Sequence, residues 1–528
     1  MDSPVKIPYE SFIKIDRKSE TSIYLQIANQ LVNAIQRGYL PLGTKLPGTR
    51  TFSEILDVHR NTAVAVYDEL SAQGWTQSFP NKGTFVIGKD QDIPVKVKDF
   101  EENNLQQYPK ITGFSFKTSN ILDNPFEHSD CEYVFNDGIP DIRLTQIDQH
   151  SRFYSSILKR KSNQKALGHY NHDGSEFFKE HLSRYLNLSR GLPISKNNLL
   201  ITRSTEMSIY IVSEILLSPG DIVLVGALSY FSVNMIFMKA GVRMIPISID
   251  KDGIIVESVR EACQKHRIRM LYLTPHHHYP TTVALSAQRR FELLELANEY
   301  GFVILEDDYD YEFHYDKSPI LPLASADTNG MVIYIGSFGK SLAPGFRTGF
   351  IVAPENIMAE MRKYLGIIDR QGDILMERAL GEMIEEGEIN RYLKKSLKVY
   401  RERRDYLALL LHETLSDLIT FEKPSGGLAI WMEWNVPVNL MQLSRNCSRD
   451  NLFIPKTLLY QNKGLTAMRI GFGDLDFREM EKSIDIFSKN LKIVDLTHHF
   501  GDFFSNKLNY FFPFFIATRI IFLLILSL

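Results

Sequence analysis

Cysteine is scarce: Cys131, Cys263 and Cys447 are the only three in 528 residues, odd in number and widely separated. That argues against a disulfide framework or a CxxC metal site and fits a reducing cytosol. Excess charge is also lacking. A formal net charge of -3 predicts no general affinity for polyanions, so any nucleic-acid contact must be local. The N-terminal stretch MDSPVKIPYESF has no apolar core of signal-peptide length, and export is not expected. No internal repeat is evident. What is there is a chain longer than one hydrophobic core usually supports, which predicts two or more domains. Its 44% hydrophobic and 23% charged residues are ordinary for globular proteins.

Residues 21–37, TSIYLQIANQLVNAIQR, place Ile23, Ile27, Leu31 and Ile35 on one helical face, with Thr21 or Ser22 as N-cap and Gly38 as terminator. After GYLPLGTKLPG, TRTFSEILD reads as a short helix with Phe52, Ile55 and Leu56 inward. A third helix is expected from about Asn61 to Gln73, striped by Val64, Tyr67 and Leu70 and closed by Gly74. WTQSF and GTFVI flank Pro80, Asn81 and Lys82 as a hairpin. Three helices and a hairpin make a winged helix-turn-helix head over residues 10–88.

A charged, Asn- and Gln-rich linker is expected over 89–130. From 131 to 493 apolar runs (IVLVGA, MLYLTP, FVILED, MVIYIG, GFIVAP) alternate with helical stretches such as AQRRFELLELANEYG, which predicts an α/β domain with a mostly parallel sheet. The extension 494–528 ends in LNYFFPFFIATRIIFLLILSL. Its last 21 residues approach a membrane-spanning length, but Arg519 near mid-span costs about 2.5–3.5 kcal/mol on insertion. Packing on a domain surface, or no role, is the preferred reading.

The stretch YLQIANQ through GTFV, with GTKLPGTR, VHRNTAVAVYDEL and a wing ending GTFV, resembles the GntR family of bacterial regulators. The resemblance implies that Arg50, Arg60, Asn61 and Thr62 face DNA, with Lys82 adding a wing contact. Arg suits phosphate or guanine, and Asn or Thr at the start of a recognition helix reaches base edges or phosphates. Charge alone does not establish it. Residues 1–90 hold ten Lys and Arg against nine Asp and Glu, a net of +1, and a capping or solvated role is the plain alternative.

Lys340 stands in SFGKSLAPGFRTGF directly after MVIYIGS. A lysine among small residues is weak evidence alone. Pyridoxal phosphate, however, also needs a carboxylate for its ring nitrogen, a hydroxyl near its ring oxygen, a stacking ring and phosphate donors, and each has a candidate in chain order. The domain resembles fold-type I aminotransferases of class I, and the two-domain pairing resembles the MocR/GabR subfamily of GntR regulators from about residue 10 to 490. That resemblance implies an internal aldimine at Lys340, with Ser337 and Arg347 on the phosphate. Asp307 would pair with the pyridinium, Asp308 being the register alternative, and Tyr309 would donate to the ring oxygen.

Ser204 stands where the family usually has glycine, followed by Thr205, at the start of a helix suited to phosphate. A serine there is expected to narrow the backbone choices. Tyr230 would stack on the ring, and Arg469 in GLTAMRIGFGD would fork onto a ligand carboxylate. In LTPHHHYPTTVAL, His276, His277 and His278 lie consecutively on a chain whose side chains alternate, so no metal is expected. Tyr279 replaces an asparagine, and Thr282 a glycine, of the family pattern. GIPD at 138–141 matches the segment covering the cofactor.

The resemblance implies a cytoplasmic, head-to-tail homodimeric transcription regulator. It would bind operator DNA and sense an amino acid or amine by external aldimine formation. A working aminotransferase with an accessory DNA-binding head is the alternative, and a membrane-tethered regulator is a third.

Overall fold

The computed structural model describes residues 7–87 and 110–491, apart from 20, 81, 120, 122–126, 162, 164–173, 317 and 371. The chain divides between Lys117 and Thr118 into two units. Most of the expected linker, and the whole of 494–528, lies outside the described residues.

In the first unit, the Ile27, Leu31 and Ile35 spacing produces α1 (Ile23–Gln36), with those side chains in the core. Ser22 holds the N-cap position without a side-chain hydrogen bond, and Gly38 ends the turn at φ +76°. Phe52 is fully buried on α2 (Thr49–Ile55). The next helix, α3 (Arg60–Ala72), departs from expectation in phase. Ala63, Val66, Tyr67 and Leu70, at i, i+3, i+4 and i+7, form the buried stripe, and Val64 is 38% exposed. Its cap is His59, whose Nδ1 accepts from the Asn61 N–H at 3.3 Å. The Tyr67 hydroxyl donates to the Pro47 carbonyl at 2.6 Å, tying α3 to the segment before α2. Strands β1 (Thr76–Phe79) and β2 (Gly83–Val86) pair antiparallel as the wing.

The second unit is built on a seven-stranded sheet. Its strands are β3 (Leu199–Thr202), β4 (Ile222–Gly226), β5 (Arg243–Ile247), β6 (Ile268–Leu273), β7 (Val303–Asp308), β8 (Val332–Ser337) and β9 (Gly349–Val352). They lie in the order β3-β9-β8-β7-β6-β4-β5. Only β9 runs against its neighbours β8 and β3, so the sheet is mostly parallel, as expected. Helices bury the apolar strand runs, among them α4 (Glu176–Arg190), α5 (Thr205–Leu216), α6 (Phe231–Lys239) and α7 (Ala287–Tyr300). A one-turn helix, α8 (Phe338–Ser341), follows β8 directly.

A long helix, α9 (Glu388–Leu415), leads into an antiparallel sheet. Its strands β10 (Ile419–Phe421), β11 (Ala429–Trp434), β12 (Leu459–Gln461) and β13 (Thr466–Gly471) lie in the order β10-β11-β13-β12. Tyr133–Val134 joins the same lobe by pairing with Leu452–Phe453, around a second core that includes Phe135, Leu411, Ile430, Met468 and Phe487. Among the described residues no helix is long and apolar enough to cross a membrane.

The 136–138 segment rests directly on the end of β13. A Cβ added at Gly471 would come within 2.3 Å of Asn136 Oδ1 and 2.5 Å of the Gly138 nitrogen. Gly471→Ala is therefore expected to lower stability by about 1–3 kcal/mol in denaturant unfolding; an unchanged midpoint would mean the two backbones are not so closely apposed.

Candidate functional site

The parallel register sets Asp307 opposite Ile335 and Asp308 opposite Gly336 at the carboxyl ends of β7 and β8, where ligands of α/β sheets gather. Tyr309 follows β7, and β8 turns into α8 carrying Lys340. The Lys340 Nζ lies 4.9 Å from the centre of the Tyr309 ring. Burial lowers the Lys340 pKa, against the opposing pull of the Asp137, Asp310 and Asp307 charges.

The two adjacent aspartates have different surroundings. Burial pushes Asp307 up to about 8, helped by the Glu206, Asp308 and Asp310 charges and resisted by Tyr272. Its Oδ2 accepts from the Tyr272 hydroxyl at 2.7 Å, while Oδ1 has no hydrogen-bond partner among the described residues. Asp308 is held down to about 2: burial opposes ionisation, but His276 and Arg190 outweigh it. Its Oδ2 accepts from Tyr334 at 2.5 Å, and His276 Nδ1 lies 3.3 Å from Oδ1. Asp308 Oδ1 likewise has no hydrogen bond among the described residues, but it has the His276 ring at ion-pair distance, whereas the only hydrogen bond to the Asp307 carboxyl among them is the one from Tyr272.

Aromatic rings wall the site. Tyr230 meets Tyr279 edge-on at 5.0 Å, and Tyr279 meets Tyr309 at 6.5 Å. The Arg469 guanidinium, on β13, lies 4.8 Å from the Tyr279 ring centre. It is fixed by Nε to the Asp137 carbonyl at 3.1 Å and by Nη1 to the Pro280 carbonyl at 2.7 Å. The Tyr309 hydroxyl, expected to serve a ring oxygen, donates here to the His277 carbonyl at 2.9 Å.

Ser204 caps α5, its hydroxyl accepting from the Met207 N–H at 3.2 Å. Its φ of -171° is extended backbone, which any residue adopts, so the expected restriction on replacing glycine does not arise. Thr205 opens the helix, half-buried. A Cβ on Gly349 would approach the Ser204 carbonyl carbon to 3.0 Å, which brings the chain just past Arg347 against this helix start. Arg347 is exposed in a left-handed conformation at φ +47°, and Ser337 is the half-buried last residue of β8.

The three histidines reach separate partners. His276 Nε2 meets the Ile320 carbonyl at 2.6 Å, His277 Nδ1 meets Asp310 Oδ1 at 2.9 Å, and His278 Nδ1 meets Thr281 Oγ1 at 2.9 Å. Burial pushes His278 down to about 3. Thr282 adopts φ +62°, a left-handed conformation in which a β-branched residue is strained and for which the family's glycine is suited.

Sequence reasoning missed Tyr272, Glu206, Asp137 and Asp310. The charges of the last three act on Asp307 or Lys340, yet the four residues lie in β6, α5, a turn and a loop without a shared spacing. The acidic run EDDYDYEF is the one signal that could have pointed to Asp310.

In the first unit, Arg50, Arg60, Asn61 and Lys82 are exposed and Thr62 is half-buried. Arg50 lies 3.7 Å from Glu54, a contact weak enough at the surface to yield to a phosphate. Because His59 supplies the cap, the Asn61 side chain is not engaged in capping α3.

The second site fits pyridoxal phosphate. Lys340 offers an amine of lowered basicity, and the unpartnered buried Asp307 Oδ1 is an acceptor in want of an N–H. In the cofactor-free protein, stability from Asp307 is fully present below its unfolded pKa near 4 and is lost as pH rises toward about 8. Asp307→Asn should flatten the melting temperature over that window and weaken cofactor binding about tenfold or more; an unaltered pH profile, followed calorimetrically, would remove Asp307 from this role.

Residues 139–471 match the family model "Aminotransferase class I and II", and residues 23–86 match "Bacterial regulatory proteins, gntR family". The chain is 26% identical over 420 residues to the probable rhizopine catabolism regulatory protein MocR of Rhizobium meliloti, covering 79% of this chain and 82% of that one. It is 25% identical over 454 residues to the HTH-type transcriptional regulator TauR of Rhodobacter capsulatus, covering 85% and 91%. Among solved structures, the kynurenine aminotransferase of Pyrococcus horikoshii, in complex with pyridoxamine phosphate (PMP), superposes with a TM-score of 0.64 at 25% identity, over 69% of this chain and 91% of that one. Its pyridoxal phosphate-dependent fold places the chain in the aminotransferase class I and II family, and the gntR-type head joined to that fold matches the MocR/GabR subfamily of GntR regulators.

Proposed function

We propose that this protein is a pyridoxal phosphate-dependent, DNA-binding transcription regulator that senses an amino acid or related amine. The observation carrying it is the joint presence, in one chain, of a winged helix with exposed Arg60 and Asn61 and a site where Lys340, Tyr309 and the open Asp307 oxygen converge. The relatives named as regulators support it along most of the chain. The bound cofactor supplies an aldehyde carbon for which Lys340 and an incoming amine compete. Lys340, its basicity lowered by burial, provides the amine. Asp307 holds a proton at the ring nitrogen, and the Tyr230 face covers the ring. Ser204, Thr205, Ser337 and Arg347 take the phosphate. Arg469, anchored on two backbone carbonyls, presents its remaining donors to the ligand carboxylate.

An effector shifts DNA binding only by its differential affinity for two arrangements of the protein. Release of Lys340 from the cofactor is the change that differs between them. A linker over 89–130 would transmit it to a head over 10–88, and a head-to-tail homodimer in the cytoplasm would present two heads to a paired operator. Arg50, Arg60, Asn61, Thr62 and Lys82 would make the DNA contacts. Amino-group transfer is the second reading, favoured by the simultaneous presence of Lys340, Asp307 and Arg469.

Two measurements test this. The absorbance of the Lys340-bound cofactor, absent from Lys340→Ala, should respond to carboxylate-bearing amines in the wild type and fail to respond in Arg469→Ala with cofactor retained; a preserved response would place carboxylate recognition elsewhere. Arg60→Ala should weaken binding to a selected operator duplex by roughly 1–3 kcal/mol if it reads a base, and equal affinity at fixed salt would exclude it.

A further inference from the structure

Behind the site runs a buried polar chain that none of these roles uses. Glu312, in the loop leaving β7, is 7% exposed, and its two carboxylate oxygens face in different directions. Oε1 accepts from Arg190 Nη2 at 2.5 Å, and Oε2 accepts from the Ser341 hydroxyl at 3.0 Å. Ser341 adjoins Lys340 in α8. Arg190 ends α4 and is 2% exposed. Its Nε and Nη1 have no partner among the described residues, and its guanidinium lies over the Tyr311 ring at 4.8 Å and the Tyr334 ring at 5.7 Å. Tyr311, beside Glu312, donates from its hydroxyl to the Ser189 carbonyl at 3.0 Å. The loop is therefore pinned twice to the end of α4 and once to the turn that carries Lys340.

We propose that Glu312, held by Arg190 and grasping Ser341, is a positioning residue that fixes the Lys340 turn relative to the strand end bearing Asp307 and Tyr309. Two segments far apart in sequence must be set to a fraction of an ångström for Lys340 to reach a ring whose nitrogen lies on Asp307. A carboxylate with one oxygen on each segment's support does this with directional bonds, which apolar packing alone does not supply. Among the described residues Arg190 has no other ion pair at salt-bridge distance, so Glu312 cannot turn away without leaving the buried guanidinium only the more distant charge of Asp308. The Ser341 contact follows from that constraint.

This inference rests on the cofactor reading. The test uses the full chain loaded with pyridoxal phosphate. Ser341→Ala severs only the link to the Lys340 turn and leaves the Arg190–Glu312 pair intact. The expected results are a shift of about half a unit in the pH midpoint of the cofactor absorbance and release of cofactor about tenfold faster, with recovery toward wild type in Ser341→Thr. Glu312→Gln should move the same two readouts in the same direction; should it not fold, the two Ser341 variants decide. A Ser341→Ala protein that melts lower while keeping the wild-type midpoint and release rate has lost packing only, and the proposal falls. A wild type that stays colourless with cofactor removes the cofactor reading itself, an outcome distinct from a coloured wild type matched by its variant.

Discussion

The parallel pairing of β7 with β8 is the constraint on which the site depends. It fixes Asp307 opposite Ile335, and with it the direction of every side chain from Glu306 to Asp308, because neighbours on a strand face opposite ways. A slip of one residue would exchange Asp307 and Asp308. Their surroundings do not tolerate that exchange: one pocket is built to leave an acid open beside Tyr272, the other to keep an acid ionised between His276, Arg190 and Tyr334. The same register sends β8 into α8 at the height of Tyr309, so sheet geometry delivers Lys340 to its ring.

The reverse side of this strand is unusually polar for the interior of a parallel sheet. Glu306 is fully buried and pushed up to about 7 by that burial, while accepting from the Leu323 and Ala324 N–H groups at 2.9 Å each. Arg290 donates to the carbonyls of Leu285, Leu321 and Pro275. Buried ionisable groups held by backbone partners in this way contribute little net stability, because desolvation offsets what their hydrogen bonds gain. They do fix geometry, since each oxygen and each N–H admits few partners. The layer behind the cofactor strand thus trades packing energy for placement.

Much of the fold was legible because it rests on periodicity. Ile27, Leu31 and Ile35 announced the first helix, and the runs IVLVGA, FVILED and MVIYIG announced parallel strands. Lys340, Asp307, Tyr309 and Arg469 could be named from local motifs in a recognised family pattern. What stayed hidden depends on tertiary contact. The phase of α3 turns on Ala63, too small to register as an apolar marker beside Val64. Its cap is a histidine, a residue type rarely read as one. Ser204 looked restrictive only because its backbone angle could not be known. Asp137 and Glu312 meet the site across more than a hundred residues of chain or through a single side chain, and neither leaves a spacing to detect.

The open oxygen of Asp307 has a consequence for how the protein acquires its cofactor. Burial pushes its pKa up to about 8, so near neutrality the carboxyl keeps its proton where an exposed aspartate would not, and Oδ1 is the oxygen without a partner among the described residues. A protonated ring nitrogen held beside Asp307 would favour the ionised carboxylate, so bound cofactor would lower this pKa. The proton that Asp307 gives up would pass to the medium, so cofactor binding near neutrality would depend on pH at this position. Above about pH 8 the carboxylate would already be ionised, and that proton would no longer be released.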